Sequence, residues 1–186
     1  MGRQKSPEKQ AQERAQAKYN EMLSAKKSTP GGGNTLALVL SFACSLCNMV
    51  INFTLEKKGY EHLKDKLLSF QKEISKAQLR AYRYADMDSD AFSSLMMAFK
   101  EGNKENIEKY SIEASMVPYN LYLLAERVHS IADELYVIGN KNVISDAKIA
   151  SDLCYSIYPG CILNIKANID NIHDQNVVNL LRSVIE

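Results

Sequence analysis

Residues 28–53 read STPGGGNTLALVLSFACSLCNMVINF, and the fold turns on how this stretch is understood. Upstream of it the chain is charged and rich in Ala and Gln, whereas Thr35 to Phe53 contains no charged residue. A break this sharp marks a working loop that feeds a buried helix. Three adjacent glycines, Gly31, Gly32 and Gly33, bring no side chains to pack, so they suit a place where the main chain bends tightly or lies close to something. The loop gathers backbone N–H groups at a helix amino end, where anions bind. The same composition also suits a flexible linker. The apolar run is about as long as a bilayer requires. Its Ser41, Ser45 and Asn48 fit better a central helix that is apolar on every side within a soluble bundle, so no membrane partner is expected.

Working outward, Pro7 to Lys27 is built of good helix formers with few apolar residues beyond Tyr19, Met22 and Leu23. Residues 1–26 are expected to form a solvated helical arm that docks only near its end, with roughly the first dozen residues lacking fixed structure. Residues 27–186 form the helical domain. After Gly59, Leu63, Leu67, Phe70, Ile74, Ala77, Ala81 and Tyr84 recur at helical steps, and the same phase predicts buried positions at Asp88, Ala91, Leu95 and Ala98. A second stripe runs from Val117 through Leu121, Leu124, Val128, Ile131 and Leu135 to Ile138, with Gly139 as its stop. Pro118 predicts that this helix starts or kinks there. A third stripe, Ala147, Ser151, Cys154, Tyr158, Cys161, Ile165, Asn168 and Ile172, keeps its phase across Pro159-Gly160, with Asn142 or Ser145 as its cap. Asp174 caps a short final helix. No segment alternates with period two, so the fold class is all-α: an antiparallel multi-helix bundle of about five to seven helices around a central apolar helix.

Asp88 falls where the stripe asks for an apolar side chain. An isolated buried carboxylate is costly, so it needs a partner or a cavity. It reads as a general base or as the counter-ion of a cationic ligand, and equally as half of a structural ion pair. Lys+Arg at 23 nearly balances Asp+Glu at 22, which argues against a nucleic-acid partner. The four cysteines follow no secreted framework, and the amino terminus has no apolar signal core, so a cytoplasmic protein is expected. His62, His129 and His173 stand in no ligand spacing, so no metal is expected. Cys44-Ser45-Leu46-Cys47 has redox spacing but sits inside the apolar helix, where it reads as two small buried side chains.

Five segments occur in a telling order: Pro30-Gly31-Gly32-Gly33; Met49-Val50-Ile51-Asn52-Phe53-Thr54 with Lys57, Lys58 and Tyr60; Asp86-Met87-Asp88-Ser89-Asp90-Ala91-Phe92; Gly139-Asn140-Lys141-Asn142-Val143-Ile144-Ser145-Asp146-Ala147; and Leu163-Asn164-Ile165-Lys166-Ala167-Asn168. Together they resemble the cyclodeaminase/cyclohydrolase family of folate enzymes. The resemblance implies an all-helical homodimer that takes a tetrahydrofolate derivative as substrate, without a metal, in a cleft by the glycine loop. It implies a catalytic aspartate at Asp88 or Asp86, and the stripe's phase favours Asp88. Folate contacts are then expected from Pro30, Gly31, Gly32, Gly33, Asn140, Asn142, Ser145 and Asp146, with Lys57, Lys58 or Lys166 meeting the glutamate tail. The implied reaction is hydrolysis of 5,10-methenyl-tetrahydrofolate to 10-formyl-tetrahydrofolate. It is preferred over formimino-tetrahydrofolate cyclodeamination because no formiminotransferase domain accompanies this chain. Three departures from the family pattern, a short connection between Phe99 and Val117, Pro159-Gly160 and the polar front arm, leave open a catalytically inactive helical scaffold.

Overall fold

A computed structural model of the chain describes residues 6–186, and among them there are helices but no strands. The chain divides after Gly31 into two units. The first contains α1 (Pro7–Ser24), whose first turn is set by Ser6 accepting from the Lys9 N–H at 3.3 Å and by Pro7 at the first helical position. Met22 and Leu23 are exposed, in keeping with the polar make-up of this helix. Residues 1–5 lie outside the described residues. From Pro7 onward the chain is helical, earlier than the sequence suggests, because Ser6 and Pro7 supply a start signal that composition alone does not register.

The second unit comprises α2 (Gly32–Leu55), a 3-10 turn at Glu61–Leu63, α3 (Lys64–Glu101), α4 (Lys104–Ile138), α5 (Ile144–Ile169) and α6 (Gln175–Arg182). Helices α2 to α5 form an up-down-up-down bundle in which α2 and α4 each pack between α3 and α5. Side-chain pairs fix the antiparallel register. Along α2, Asn34 bonds the Ser89 hydroxyl at 2.9 Å, Ser45 accepts from Gln78 at 2.7 Å, and Asn52 accepts from Gln71 at 2.7 Å. Between α3 and α4, Glu73 accepts from Arg127 at 2.8 Å, and Lys66 pairs with Glu134.

The core follows the stripes. Leu40, Cys44, Cys47, Val50 and Ile51 of α2 meet Leu67, Ile74 and Ala81 of α3, Leu121, Val128, Ile131 and Leu135 of α4, and Ala150, Cys154, Ile157 and Cys161 of α5. Each large aliphatic side chain buried here contributes about 1.5–3 kcal/mol. The Cys44 and Cys47 thiols, pushed up to about 12 by burial, stay neutral and act as packing groups. A second cluster, Tyr119, Ile165, Ile172, Val178 and Leu181, docks α6, whose start is capped by Asp174 accepting from the Asn176 and Val177 N–H groups.

The structure decides three local expectations, correcting the first two and bearing out the third. Helix α4 begins at Lys104, capped by Asn103, and runs through a buried Pro118, so it does not start at that proline. Helix α5 starts after Val143 with no side-chain cap, so neither Asn142 nor Ser145 caps it. The same helix continues unbroken through Pro159-Gly160, and a Cβ on Gly160 would press into Leu36 on α2. That glycine sets how closely α2 and α5 approach. The polar Ser151 in the α5 stripe is satisfied at the seam with α4: it donates to Asp133 at 2.6 Å and meets His129 Nε2 at 3.1 Å, while His129 Nδ1 meets the Tyr158 hydroxyl at 2.8 Å.

Candidate active site

Helix α2 begins at Gly32, and its first turn lies against α3 where the apolar stripe gives way to aspartates. The Asn34 side chain, almost fully buried, donates to the Ala85 carbonyl and to the Ser89 hydroxyl, one turn apart on α3. Asp88 lies between these two anchor points in sequence. A Cβ on Gly33 would fall inside the Asp88 carboxylate, so any side chain there must displace that group. Asp88 is half-buried, while Asp86 and Asp90 point to solvent, as the stripe's phase predicts. Burial raises the Asp88 carboxyl above the ordinary carboxylate range, and a bond from the Asn34 backbone N–H partly offsets this. The Cys161 thiol on α5 feels the Asp88 charge, which adds to its own burial in holding it protonated. The arrangement is a carboxylate at the amino end of a helix, walled by glycine backbone on one side and by an apolar core on the other. Such a group can accept a proton or face a cation.

The other expected residues divide between places. Gly32 and Gly33 stand at the Asp88 end of α2. Pro30, whose preceding peptide with Thr29 is cis, and Gly31 belong to the first unit. Asn140 lies at the far end of α2: its backbone N–H donates to Thr54 Oγ1 at 2.9 Å, its side-chain amide donates to the Phe53 carbonyl at 3.0 Å, and its Oδ1 accepts from the Asn142 N–H at 3.1 Å. Both ends of this buried amide are thus engaged in stapling the α4–α5 loop to α2. Lys57 and Lys58 follow α2 directly, and Asn142 and Ser145, both exposed, follow Asn140 in sequence, with Asp146 in the first turn of α5. A helix of 24 residues is about 36 Å long, so within one chain the glycine–Asp88 group and the Asn140 group are a helix length apart. Lys166 lines a hollow of about 610 Å³ between α5 and α6, together with Asp170 and Arg182. The sequence reading gives Asn34 and Ser89 no role and places Cys161 only in a core stripe. The asparagine directly after three glycines was the available signal, since Asn is a favoured residue at helix starts. Among the described residues, no three His, Cys, Asp or Glu side chains stand close enough together to hold a metal ion.

Fold and site define a helical-bundle protein with a half-buried carboxylate held at the amino end of its central helix. The chain belongs to the formiminotransferase-cyclodeaminase family, which matches residues 15–186. It is similar to a methenyltetrahydrofolate cyclohydrolase of Methylorubrum extorquens, 28% identical over 163 residues that cover 82% of this chain and 78% of that protein. It is 21% identical over 175 residues to the formimidoyltransferase-cyclodeaminase of Rattus norvegicus, covering 87% of this chain but 32% of the rat protein. The chain therefore spans about a third of the length of that relative. Among solved structures, the formiminotetrahydrofolate cyclodeaminase of Thermotoga maritima superposes with a TM-score of 0.86 at 29% identity, covering 91% of this chain and 85% of that one.

Proposed function

We propose that this chain is an enzyme of folate one-carbon metabolism that hydrolyses 5,10-methenyl-tetrahydrofolate to 10-formyl-tetrahydrofolate. The observation that carries the reading is the Asp88 carboxylate, half-buried against Gly33 at the start of α2. The methenyl bridge is an amidinium-like cation, and a carboxylate beside it favours its binding and aligns water for attack. Asp88 takes a proton from the water as its oxygen bonds to the bridging carbon, then returns it to the ring nitrogen as the bond from that nitrogen to carbon breaks, while the adduct's hydroxyl proton leaves to solvent and the formyl C=O forms. The formyl group stays on the aryl nitrogen. A raised carboxyl pKa suits both halves of this cycle better than a strongly acidic group would.

Gly32 and Gly33 let the folate ring approach the backbone. Asn142, Ser145 and Asp146 offer hydrogen bonds to the pterin edge, and Lys57, Lys58 or Lys166 meet the glutamate carboxylates. The enzyme works in the cytoplasm as a homodimer and needs neither metal nor nucleic acid. The alternative reaction, cyclodeamination of formimino-tetrahydrofolate with release of ammonia, is favoured by the likeness to the Thermotoga maritima structure. It would use the same carboxyl group as the acid that protonates the departing ammonia.

The absorbance of the methenyl group decides among these readings. Purified protein that removes the absorbance of methenyl-tetrahydrofolate faster than buffer does is a cyclohydrolase. Protein that generates the absorbance from formimino-tetrahydrofolate is a cyclodeaminase. No change with either compound, under conditions where folate binding is saturated, overturns the enzyme and leaves the scaffold.

A further inference from the structure

Helix α3 runs past the start of α2. The pairs Asn52–Gln71, Ser45–Gln78 and Asn34–Ser89 set an antiparallel register in which Gly32, the first residue of α2, comes level with Ala91. The part of α3 from Phe92 to Glu101, about 15 Å of helix, therefore has no part of α2 opposite it. Asp88, Phe92, Met96 and Phe99 follow one another at steps of four, four and three, so they share a face. On that face Phe92 is 36%, Met96 41% and Phe99 43% exposed. Phe92 comes first after the carboxylate. Long side chains on a helix lean over the preceding turn, which inclines the Phe92 ring toward Asp88. Among the described residues this ring stacks on no other aromatic ring and has no cation above it, whereas Phe70 lies under Lys66 and Tyr110 under Lys109.

An exposed ring one turn from a half-buried carboxylate has a use that depends on charge. Asp88 faces the amino end of α2, whose partial positive charge of about half a unit offsets part of the carboxylate's pull on a cation. A second attractive surface is needed there, and one without net charge adds no Coulomb field to the carboxyl group. The face of a phenyl ring is such a surface, because its quadrupole draws cations. The methenyl bridge is a flat, delocalised cation, whereas the formyl group that replaces it carries no net charge. Ring and carboxylate together therefore separate substrate from product by charge. They do so in the ground state, because the positive charge is lost as water adds.

We infer that the Phe92 ring is a substrate-binding surface that holds the methenyl cation against the Asp88 carboxylate, and that it sets the preference of the site for the charged folate over the neutral formyl product. The inference rests on the folate reading, but its test by binding requires no turnover.

Phe92→Leu removes the ring but keeps an apolar side chain, and Phe92→Tyr keeps the ring. Phe92→Leu should raise KM for methenyl-tetrahydrofolate about three- to tenfold without lowering kcat, and should leave the inhibition constant of 10-formyl-tetrahydrofolate at its wild-type value. Phe92→Tyr should behave as the wild type. Melting curves check that each variant folds, and Phe92→Met serves as a second ringless variant should leucine lower the melting temperature. An unchanged KM overturns the inference. So does a KM that rises by the same factor as the product inhibition constant, which makes Phe92 an apolar contact without preference for charge. If the protein makes the methenyl compound from formimino-tetrahydrofolate instead, the methenyl and formyl compounds are compared as inhibitors, with the same contrast expected. Wild-type protein that turns over neither folate sinks the functional reading. Equilibrium dialysis of both compounds against wild type and Phe92→Leu, in mildly acidic buffer where the methenyl compound persists, then decides the role of the ring. A loss of affinity confined to the cation supports it, and equal affinities in the two proteins, or no binding to either, overturn it.

Discussion

Gly33 lies so close to the Asp88 carboxylate that a Cβ there would have to push the carboxylate aside. Gly33→Ala should therefore destabilise the protein even though alanine is the better helix former by about 1 kcal/mol. Overpacking of a fitted contact costs about 1–3 kcal/mol, and the displacement falls on the proposed catalytic group. The expected result is a lowered melting temperature together with a more than about tenfold loss of cyclohydrolase turnover, equivalent to about 1.4 kcal/mol in the barrier. A variant with unchanged melting and unchanged rate would show that the two helices have room to part.

Asn34 holds the same contact from its other side. Its amide bonds two points one turn apart on α3, so Asn34→Ala removes both, at about 1–3 kcal/mol. Asn34→Asp should be worse than alanine, because a carboxylate there can no longer donate to the Ala85 carbonyl and adds a second negative charge beside Asp88. Chemical denaturation of the three proteins at neutral pH checks the order wild type, alanine, aspartate.

The bundle was legible in the sequence because its stripes are long and regular: Leu67 to Ala81 and Leu121 to Leu135 bury the positions their phase demands. The phase also separated Asp88 from Asp86 and Asp90. Pro118 misled as a helix start, since tertiary packing outweighs one missing ladder bond, whereas the stripe that keeps its phase across Pro159 carried one helix through that proline, as found. What the sequence could not show is distance. Asn140 and Gly33 belong to one family signature, but only the length of α2 reveals that a single chain keeps them apart. The role of Asn34 was hidden for the same reason, because its partners lie more than fifty residues away.

The far end of α2 depends on Thr54 and Asn140. The Thr54 hydroxyl is fully buried and accepts from the Asn140 backbone N–H. Thr54→Val keeps the shape but leaves that N–H without an acceptor, at a cost of about 1–3 kcal/mol. Asn140→Ala frees the Phe53 carbonyl and the Asn142 N–H and should cost a similar amount. Because both residues serve the same staple, the double variant should lose less than the sum of the single variants, which a double-mutant cycle by denaturation will show. Full additivity would mean that the two act separately.

Asp88→Asn separates chemistry from stability. Burial raises the folded-state pKa of Asp88 above its unfolded value, so over the pH range between the two the unfolded chain binds fewer protons than the folded one, and wild-type stability falls as pH rises. Asparagine carries no such penalty. The variant should therefore melt higher than wild type at neutral pH, and the two curves should converge as the pH drops below the unfolded carboxylate value, where the aspartate is neutral in both states. Turnover should behave in the opposite way: abolished in Asp88→Asn at every pH, and rising with pH in the wild type as Asp88 ionises and becomes able to accept a proton. Asp86→Asn, at an exposed position, should keep both the melting curve and the rate of the wild type. If Asp86→Asn is inactive and Asp88→Asn active, the base is Asp86, and the half-buried carboxylate against Gly33 is a packing feature only.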